Sequence, residues 1–474
     1  MAPFRPDSIL IIDPKSDHVL VQFGVNDETF MIPDYKIPSC IYKDSTTGNY
    51  LSSKDDGNSN IETIYPIVNG EIKDIEAFLQ LLKTIYGSVL AEKSKNNPNA
   101  FDIELANIPL LLITQHSWSQ FQLEKITHFI FEELKINYMM LLPTAVATAY
   151  AMVSLQNCCV IDIGGNHTDI IPIVDYTAMN HLTSSLSIGG NSITETLKDK
   201  YLPQLSLDQI ESLKKSNIFE VLTDNAVRKR YQDDLENSIT NGDGNDEDII
   251  NVADLVTSGR DAREVLEERE RSKKEKNVSN AELEYNYYWD TNGNNIKVGK
   301  ERFQGCEQLI NSISRRVGIT LSQISDTSKL KAVWENIVII GGTSSIQGFK
   351  EELLNRLIEN HLITEPETEM EEREDAHRDP TETGNNKKKA TKAFQNMITS
   401  AIQNIDYVQA PSVIRLAKYA EYFPEWKKYG YAEIQFLGGQ VVAKQVFTHS
   451  RDVYYVTREN YDKFGPTCIW DVEF

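Results

Sequence analysis

The stretch Asn157 to Val174, NCCVIDIGGNHTDIIPIV, decides the fold. An apolar run ends at Asp162, two glycines and an asparagine follow, and a second apolar run leaves the turn, which predicts a strand, a tight hairpin and a second strand. Such a turn directs backbone N–H groups at one point beside an acid, an arrangement typical of phosphate and hydrated-metal sites. An ordinary β-turn in a mixed sheet is the alternative that this stretch alone leaves open.

A second acid-led hairpin lies near the N-terminus. Apolar residues 8–12 and 18–24 flank the turn Asp13 to Asp17, and a continuous apolar strand, IPLLLIT, follows at 108–114. Later, WENIVIIGG at Trp334 to Gly342 predicts a buried strand that ends in a glycine pair. Alternating strands and helices predict an α/β fold with a parallel or mixed sheet, and the rough duplication predicts two similar lobes across a cleft.

Length and composition limit the class of protein. A chain of 474 residues is too long for one core, and a formal charge of −22 argues against a protein whose main task is to grip nucleic acid. The five cysteines and the histidines His18, His116 and His167 show no metal-ligand spacing, so no metal site is expected. No apolar run approaches the roughly 18 residues of a membrane span, and we expect a soluble intracellular protein.

We expect two lobes and two inserts. The first lobe is predicted over residues 1–150 and 440–474, with a polar mobile loop at 43–60 and a helix over 440–445. The second lobe is predicted over residues 151–439. It carries a charged insert at about 224–286 and a disordered insert, acidic and then basic, at about 365–395.

Several segments resemble actin in the same order. They are YPIVNG at 65–70, IPLLLIT at 108–114, NGNNIKVGKERFQGCE at 292–307, NIVIIGGTSSIQGF at 336–349 and FLGGQVVAKQVF at 436–447. With the two hairpins they are similar to the actin, chaperone and sugar-kinase superfamily. The resemblance implies an α/β, actin-like fold, a ribonuclease H-like duplication with two lobes and a central nucleotide cleft.

Other segments resemble one branch of the actin-related proteins. SLQNCCVIDIG, TSGRDAREVLEERER and FPEWKKYGY look like actin-related subunits of the SWI/SNF and RSC chromatin remodellers of budding yeasts. This likeness implies a nuclear scaffold subunit that pairs with actin-related protein 7 and binds the helix preceding the motor domain of the remodeller ATPase. It also implies contacts with other SWI/SNF and RSC subunits, no membrane contact, and only indirect contact with DNA or histones.

By motif position, the family's cleft falls on both hairpins and the later glycine turn. Its residues here are Asp13, Lys15, Ser16, Asp162, Gly164, Gly165, Thr168, Gly341, Gly342 and Thr343. We interpret them as a vestigial cleft, because the side chains that would perform catalysis differ from those of the family.

The differences from the family's cleft affect every catalytic role. Lys15 replaces a glycine, Pro14 removes an N–H donor, and Leu20 replaces the family's phosphate-contacting lysine. Thr144 falls where actin orients the attacking water with glutamine, and Asp169 replaces a histidine. The sequence therefore predicts no catalytic residue, no metal ligand and no bound cofactor, with ATP and magnesium as the alternative.

The family's partner groove falls on the hinge helix and the C-terminal helix. Its residues by motif position are Tyr150, Val153, Val442 and Gln445, and an amphipathic helix is the expected occupant. Three other functions remain open from sequence: a slowly hydrolysing, ATP-binding actin-related protein that polymerises, a phosphotransferase of the sugar-kinase branch, and a direct nucleic-acid binder.

Overall fold

The computed structural model describes residues 4–25, 30–53, 60–96, 107–223, 279–362, 411–419, 423–449 and 453–472. The predicted insert at 365–395 lies outside the described residues, as does all of the insert at 224–286 except 279–286.

The described strands are β1 (Leu10–Pro14), β2 (His18–Phe23), β3 (Tyr35–Pro38), β4 (Ile41–Asp44), β5 (Tyr50–Leu51), β6 (Ile61–Ile64), β7 (Ile67–Val68), β8 (Glu71–Ile72), β9 (Leu110–Thr114), β10 (Tyr138–Pro143), β11 (Cys158–Ile163), β12 (Thr168–Val174), β13 (Thr177–Ala178), β14 (Ser184–Leu186), β15 (Asn286–Trp289), β16 (Asn295–Val298), β17 (Ile337–Ile340) and β18 (Val456–Thr457).

The described α-helices are α1 (Ile75–Asn96), α2 (Gln120–Glu132), α3 (Thr144–Ala151), α4 (Gly190–Thr196), α5 (Leu207–Lys215), α6 (Glu307–Leu321), α7 (Thr327–Trp334), α8 (Phe349–His361), α9 (Pro424–Tyr429), α10 (Ile434–His449) and α11 (Arg458–Phe464). No described helix is both long enough and apolar enough to span a membrane.

Two mixed sheets carry the two predicted hairpins. The six-stranded sheet has the order β18-β10-β9-β1-β2-β3, with β1 antiparallel to β2 and parallel to β9. In the second sheet β11 is antiparallel to β12 and parallel to β17. Each hairpin therefore lies beside a parallel strand, which confirms the predicted mixed α/β fold and its internal duplication.

Strand β9 shows why the apolar run at 110–114 is continuous. All five of its residues are buried, because it pairs with parallel strands on both sides and helices cover such sheets on both faces. One face of this sheet packs with α1 and α2, and the other contributes to a core shared with α3 and α10.

Helices α3 and α10 approach each other closely. A Cβ added to Gly438 would lie 1.7 Å from the carbonyl oxygen of Ala147, so only glycine fits at this contact. The prediction of a short helix over 440–445 was therefore wrong in extent. The helix runs from Ile434 to His449, and within it Gly438 permits close packing against α3 while Gly439 lies against the side chain of Ile113 on β9.

The stretch 43–60 also differs from the prediction of a mobile loop. Strands β4, β5 and β6 form a three-stranded sheet, and the carboxylate of Asp44 accepts a hydrogen bond of 2.8 Å from the N–H of Thr46 in the β4–β5 turn. This local hydrogen bond stabilises the turn. Residues 54–59 lie outside the described part.

The chain divides into two compact units. One comprises Met1–Gly190, Ile313–Ser345 and Leu357–Phe474, and contains both large sheets. The other comprises Asn191–Ser312 and Ile346–Arg356. The predicted lobes at 1–150 with 440–474 and at 151–439 stay a prediction.

Candidate nucleotide cleft and partner groove

The first hairpin places a fully buried carboxylate near the end of β1. Asp13 is 0% exposed, and its Oδ2 accepts a hydrogen bond of 2.9 Å from Nε2 of Gln435. Its Oδ1 has no hydrogen-bond partner among the residues that the structure describes. Burial raises the pKa of Asp13, because desolvation disfavours the charged form. One carboxylate oxygen of Asp13 is therefore already hydrogen-bonded to another side chain of the protein.

The second hairpin is held by hydrogen bonds to its own backbone and to two later segments. The N–H of Gly164 donates to the carbonyl of His167 at 2.9 Å. The Gly164 carbonyl in turn accepts from the N–H of Gly190 at 2.9 Å and from Oγ1 of Thr343 at 3.1 Å. The structure thus brings Gly164 and Thr343 together, as the resemblance implied.

The glycine turn after β17 lies against the acid of the second hairpin. Gly341 has a φ of +90°, and a Cβ there would lie 2.4 Å from the carbonyl oxygen of Ile163 and 2.6 Å from Oδ1 of Asp162. Its N–H donates to the carbonyl of Ala432 at 2.9 Å. Gly342 opens the short 3-10 turn that contains Thr343. Glycine is therefore required at position 341 by the backbone conformation and by the packing of the turn.

Two further predicted residues complete this hairpin. The hydroxyl of Thr168, which is fully buried, donates to the carbonyl of Ile188 at 2.8 Å. The carbonyl oxygen of Gly165 would lie 2.7 Å from a Cβ on Gly189. Thr168 and Gly165 therefore both contact the segment 188–189, and the Thr168 hydroxyl already donates a hydrogen bond within the protein.

A turn that the sequence reasoning missed connects both hairpins. The N–H of Gly70 donates to Oγ of Ser16 at 2.8 Å, and Nδ2 of Asn166 donates to Oδ1 of Asn69 at 2.8 Å. Asn69 and Gly70 have φ values of +55° and +77°. The Asn-Gly dipeptide is a strong local signal for such a hairpin turn and could have identified it from sequence.

Lys15 lies in the electric field of the acids on both hairpins. Burial of the ammonium works to lower the pKa of Lys15, but nearby carboxylates raise it overall, and Asp13 and Asp162 have the two largest such effects. Glu433 and Asp17 add smaller effects of the same sign. The carboxylates of both hairpins therefore favour the charged form of Lys15.

A second cluster missed from sequence joins the first hairpin to the segment before α10. Glu433 Oε1 lies 2.7 Å from Nε2 of His18 and 2.9 Å from Nζ of Lys36, and Nδ1 of His18 lies 2.9 Å from Oδ1 of Asp17. Burial alone would raise the pKa of Glu433, but hydrogen bonds led by that of His18 lower it well below its usual range. Glu433 is therefore a carboxylate that binds the strand β2.

Two positions that take part in catalysis in actin carry buried, hydrogen-bonded side chains in this protein. Thr144 is buried, and its hydroxyl donates to the carbonyl of Thr114 at 3.0 Å. Asp169 is also buried and accepts a hydrogen bond of 2.5 Å from Oγ of Ser185, while burial raises the pKa of Asp169. Both side chains are therefore buried and hydrogen-bonded within the protein.

These residues do not fit a hydrated magnesium nucleotide. Pro14 offers no N–H to a phosphate, and Gln435 occupies one oxygen of Asp13. Among the described residues, no group of three or more His, Cys, Asp and Glu side chains is placed to hold a metal ion.

Exposed apolar and aromatic side chains mark the predicted partner groove. Val153 is 63% exposed and has a left-handed φ of +62°, which is strained for a β-branched residue. The rings of Tyr150 and Tyr176 stack with centroids 6.2 Å apart, and the pKa of Tyr150 is raised by burial first and then by its neighbours Tyr176 and Tyr454. We call the set Tyr150, Val153, Tyr176 and Tyr454 the tyrosine groove.

The two predicted groove residues on α10 differ in their surroundings. Gln445 is exposed, whereas Val442 is only 3% exposed and packs in the core. The prediction that Val442 presents a contact surface is corrected accordingly, because the side chain is used to pack α10 on the sheet. The assignment of the groove as a partner site stays a prediction.

A match to a known family covers well over half of the chain. The family model described as Actin matches residues 6–378. The chain belongs to the actin family. The resemblance inferred from the hairpins and the glycine turn is thereby confirmed, together with the actin-like fold.

Three relatives of this actin-family chain come from fission yeast and a plant. It is 27% identical over 444 residues to the "SWI/SNF and RSC complexes subunit arp9" of Schizosaccharomyces pombe, covering 86% of this chain and 78% of the relative. It is 21% identical over 476 residues to "Actin-related protein 7" of Arabidopsis thaliana, covering 97% and 98%. A shorter match, 28% over 139 residues, covers 29% of this chain and 33% of "Actin-related protein 2" of Schizosaccharomyces pombe. The predicted likeness to actin-related remodeller subunits is therefore confirmed at the level of similarity.

Proposed function

We propose that this actin-family chain is a non-catalytic scaffold subunit of an ATP-dependent chromatin-remodelling complex in the nucleus. In this proposal it pairs with actin-related protein 7, binds a long helix of the motor ATPase subunit and contacts other SWI/SNF and RSC subunits. Contact with DNA or histones is indirect. The similarity to a subunit of such complexes, across most of both chains, supports this assignment.

The observation that carries the proposal is the exposed surface of the tyrosine groove. Val153 and Tyr454 are 63% and 39% exposed, and the rings of Tyr150 and Tyr176 stack on each other. An amphipathic helix buries apolar anchors at helical spacing in such a groove. Tyrosine is favoured at interfaces because it combines a large apolar ring with a polar end.

We also propose that this function requires neither a bound nucleotide nor hydrolysis. The engaged hydroxyl of Thr144 and the amide on Asp13 support a degenerate ATPase cleft over a slowly hydrolysing actin-related protein. The binding surface and the cleft are then separate features of the fold, and changes in one need not disturb the other.

The test measures capture of the motor's helical segment by the full-length chain carrying Val153→Asn. Asparagine tolerates a left-handed φ, so this variant removes the apolar contact without adding strain, and we expect unchanged or higher thermal stability with weakened capture. Phe121→Ala is the matched control, because Phe121 is a 70% exposed apolar residue on α2, outside the groove. Equal capture by Val153→Asn and the control would reject the groove as the helix site.

A further inference from the structure

Two tight turns at the tyrosine groove hold residues other than glycine in the left-handed region. Six such residues in the described part of the chain have φ values between +53° and +64°. Four of them form two consecutive pairs, Val153 with Ser154 and Asp175 with Tyr176. Because a Cβ makes this conformation unfavourable, backbone strain is concentrated in the turns that carry Val153 and Tyr176 of the groove.

The second pair forms a complete two-residue hairpin loop. Val174 on β12 pairs with Thr177 on β13, and the loop residues Asp175 and Tyr176 have φ values of +53° and +64°. Two-residue loops in which both φ values are positive strongly prefer Asn-Gly or Asp-Gly. Asp175 fits this preference, whereas Tyr176 lies where glycine is preferred. The backbone of the loop therefore does not explain why this residue is a tyrosine.

Neighbouring segments hold the loop in its strained conformation. The N–H of Tyr176 donates to the carbonyl of Gln156 at 2.9 Å, and the N–H of Asp175 donates to Oδ1 of Asn157 at 3.1 Å. The Asp175 carboxylate accepts a hydrogen bond of 3.1 Å from Nε2 of Gln156 and pairs with Nζ of Lys329 on α7. A strained residue persists only where its surroundings fix it in this way, so the position of Tyr176 is well defined.

The loop presents an aromatic ring that the protein uses only in part. The ring of Tyr176 stacks on that of Tyr150 at an angle of 23°, yet Tyr176 is still 37% exposed. A tyrosine held in one position offers a partner a large contact area with little further loss of conformational entropy. The exposed part of Tyr176 is therefore suited to binding.

We propose that Tyr176 is a partner-contact residue of the tyrosine groove, and that its strained loop presents the ring to an apolar side chain of the bound helix. This inference rests on the proposed function, since the occupant is the same helical segment of the motor subunit. It deepens that function by assigning recognition of the helix to a loop between two strands, in addition to the surface beside α3. The unfavourable backbone of Tyr176 is then retained for binding.

The competing role for Tyr176 is purely structural, as a ring that stabilises Tyr150 by stacking. The two roles differ in what they require of substitutions. A structural ring could be replaced without loss of binding wherever the variant still folds, whereas a contact ring could not. A strained loop also has its own signature, because glycine is more stable than alanine only where φ is positive.

The experiment compares the full-length wild type with Tyr176→Phe, Tyr176→Ala and Tyr176→Gly. Thermal unfolding is measured for each protein, together with the dissociation constant for a labelled synthetic peptide of the motor's helical segment. We expect Tyr176→Phe to bind within about twofold of wild type, and the other two variants to bind at least about tenfold more weakly. Tyr176→Gly should unfold about 2 °C or more above Tyr176→Ala.

Lys135→Gly is the matched control, because Lys135 also has a left-handed φ, +57°, and lies outside the groove on the turn after α2. It should bind the peptide as wild type does. Equal binding by Tyr176→Gly and this control would overturn the role of Tyr176 and leave the proposed function standing. A midpoint of Tyr176→Ala at or above that of Tyr176→Gly, or failure of both variants to fold, would also overturn it. Failure of the wild type to bind the peptide would instead reject the proposed function, and with it the occupant named for Tyr176.

Discussion

Gln435 and Asp13 are 422 positions apart in the chain, yet the amide of Gln435 donates a hydrogen bond of 2.9 Å to Oδ2 of the buried Asp13. The bond links the first residues of α10 to the end of β1. A neutral amide therefore lies against the acid that leads the first hairpin, and the cleft is held by the protein's own groups.

Removing this amide should destabilise the protein. We expect Gln435→Leu to lower the free energy of unfolding by about 1–3 kcal/mol, because it leaves both oxygens of Asp13 buried without a described partner. Adding Asp13→Leu removes the second partner, so the double variant should lose less stability than the sum of the single variants. Chemical denaturation of all four proteins measures the cycle, and strict additivity would contradict the account.

The cluster of His18 and Glu433 predicts a pH dependence with a defined sign. Burial works to lower the pKa of His18, but Asp17 and Glu433 raise it above its ordinary 6.5, so its stabilising effect is full below that value and fades as pH rises through the folded pKa. The pKa of Glu433 is lowered from its ordinary 4.5, so its effect holds above that value and fades at lower pH. The cluster should stabilise most between pH 4.5 and 6.5.

His18→Gln tests this dependence. The stability advantage of wild type over the variant should be larger at about pH 5.5 than at about pH 8.5, as measured by thermal unfolding. An advantage that is constant across this range, or that grows with pH, would show that His18 does not act as a charged partner of Asp17 and Glu433.

Replacing Thr144 with glutamine, the residue type that orients the attacking water in actin, is expected to destabilise the protein without restoring hydrolysis. Thr144 is buried and hydrogen-bonded to Thr114, so the larger side chain of Thr144→Gln should overpack the site and cost about 1–3 kcal/mol. We expect no phosphate release from ATP by this variant. Measurable turnover in a phosphate-release assay would mean that the rest of the cleft is competent.

Replacing Arg302 is expected to weaken one part of the second compact unit. Its guanidinium is fully buried and donates to the carbonyls of Gly299 at 2.5 Å and of Asn280 and Leu283 at 2.6 Å. Arg302→Met leaves these carbonyls without that donor, at a cost of about 3 kcal/mol or more. Faster hydrogen exchange over 279–303 is expected, whereas Lys300→Met, at an exposed lysine, should exchange as wild type does.

Local patterns predicted the hairpins and failed at long-range contacts. The acid, glycine and asparagine signals at 157–174 placed β11 and β12 correctly, because strand periodicity and turn chemistry are encoded within a few residues. The contacts of Gln435 and Glu433 with the first hairpin join distant parts of the chain, and nothing in the local pattern specifies them.

Val442 illustrates a second limit of prediction from sequence motifs. Its position in the family motif predicted a partner contact, but burial decides which face of a helix is free, and burial follows from packing that the motif does not contain. The strained φ of Val153 was likewise invisible, because a β-branched residue gives no local signal for the left-handed region.

The most direct test of the central claim is the nucleotide content of the purified protein. The chain is purified with its proposed partner, actin-related protein 7, whose own cleft has been disabled. The complex is then denatured, and released nucleotides are separated by chromatography. The account predicts no nucleotide assignable to this chain. It also predicts that the complex without this nucleotide still captures the motor helix. Stoichiometric ATP or ADP in this chain would contradict it and would make the protein a nucleotide-binding subunit.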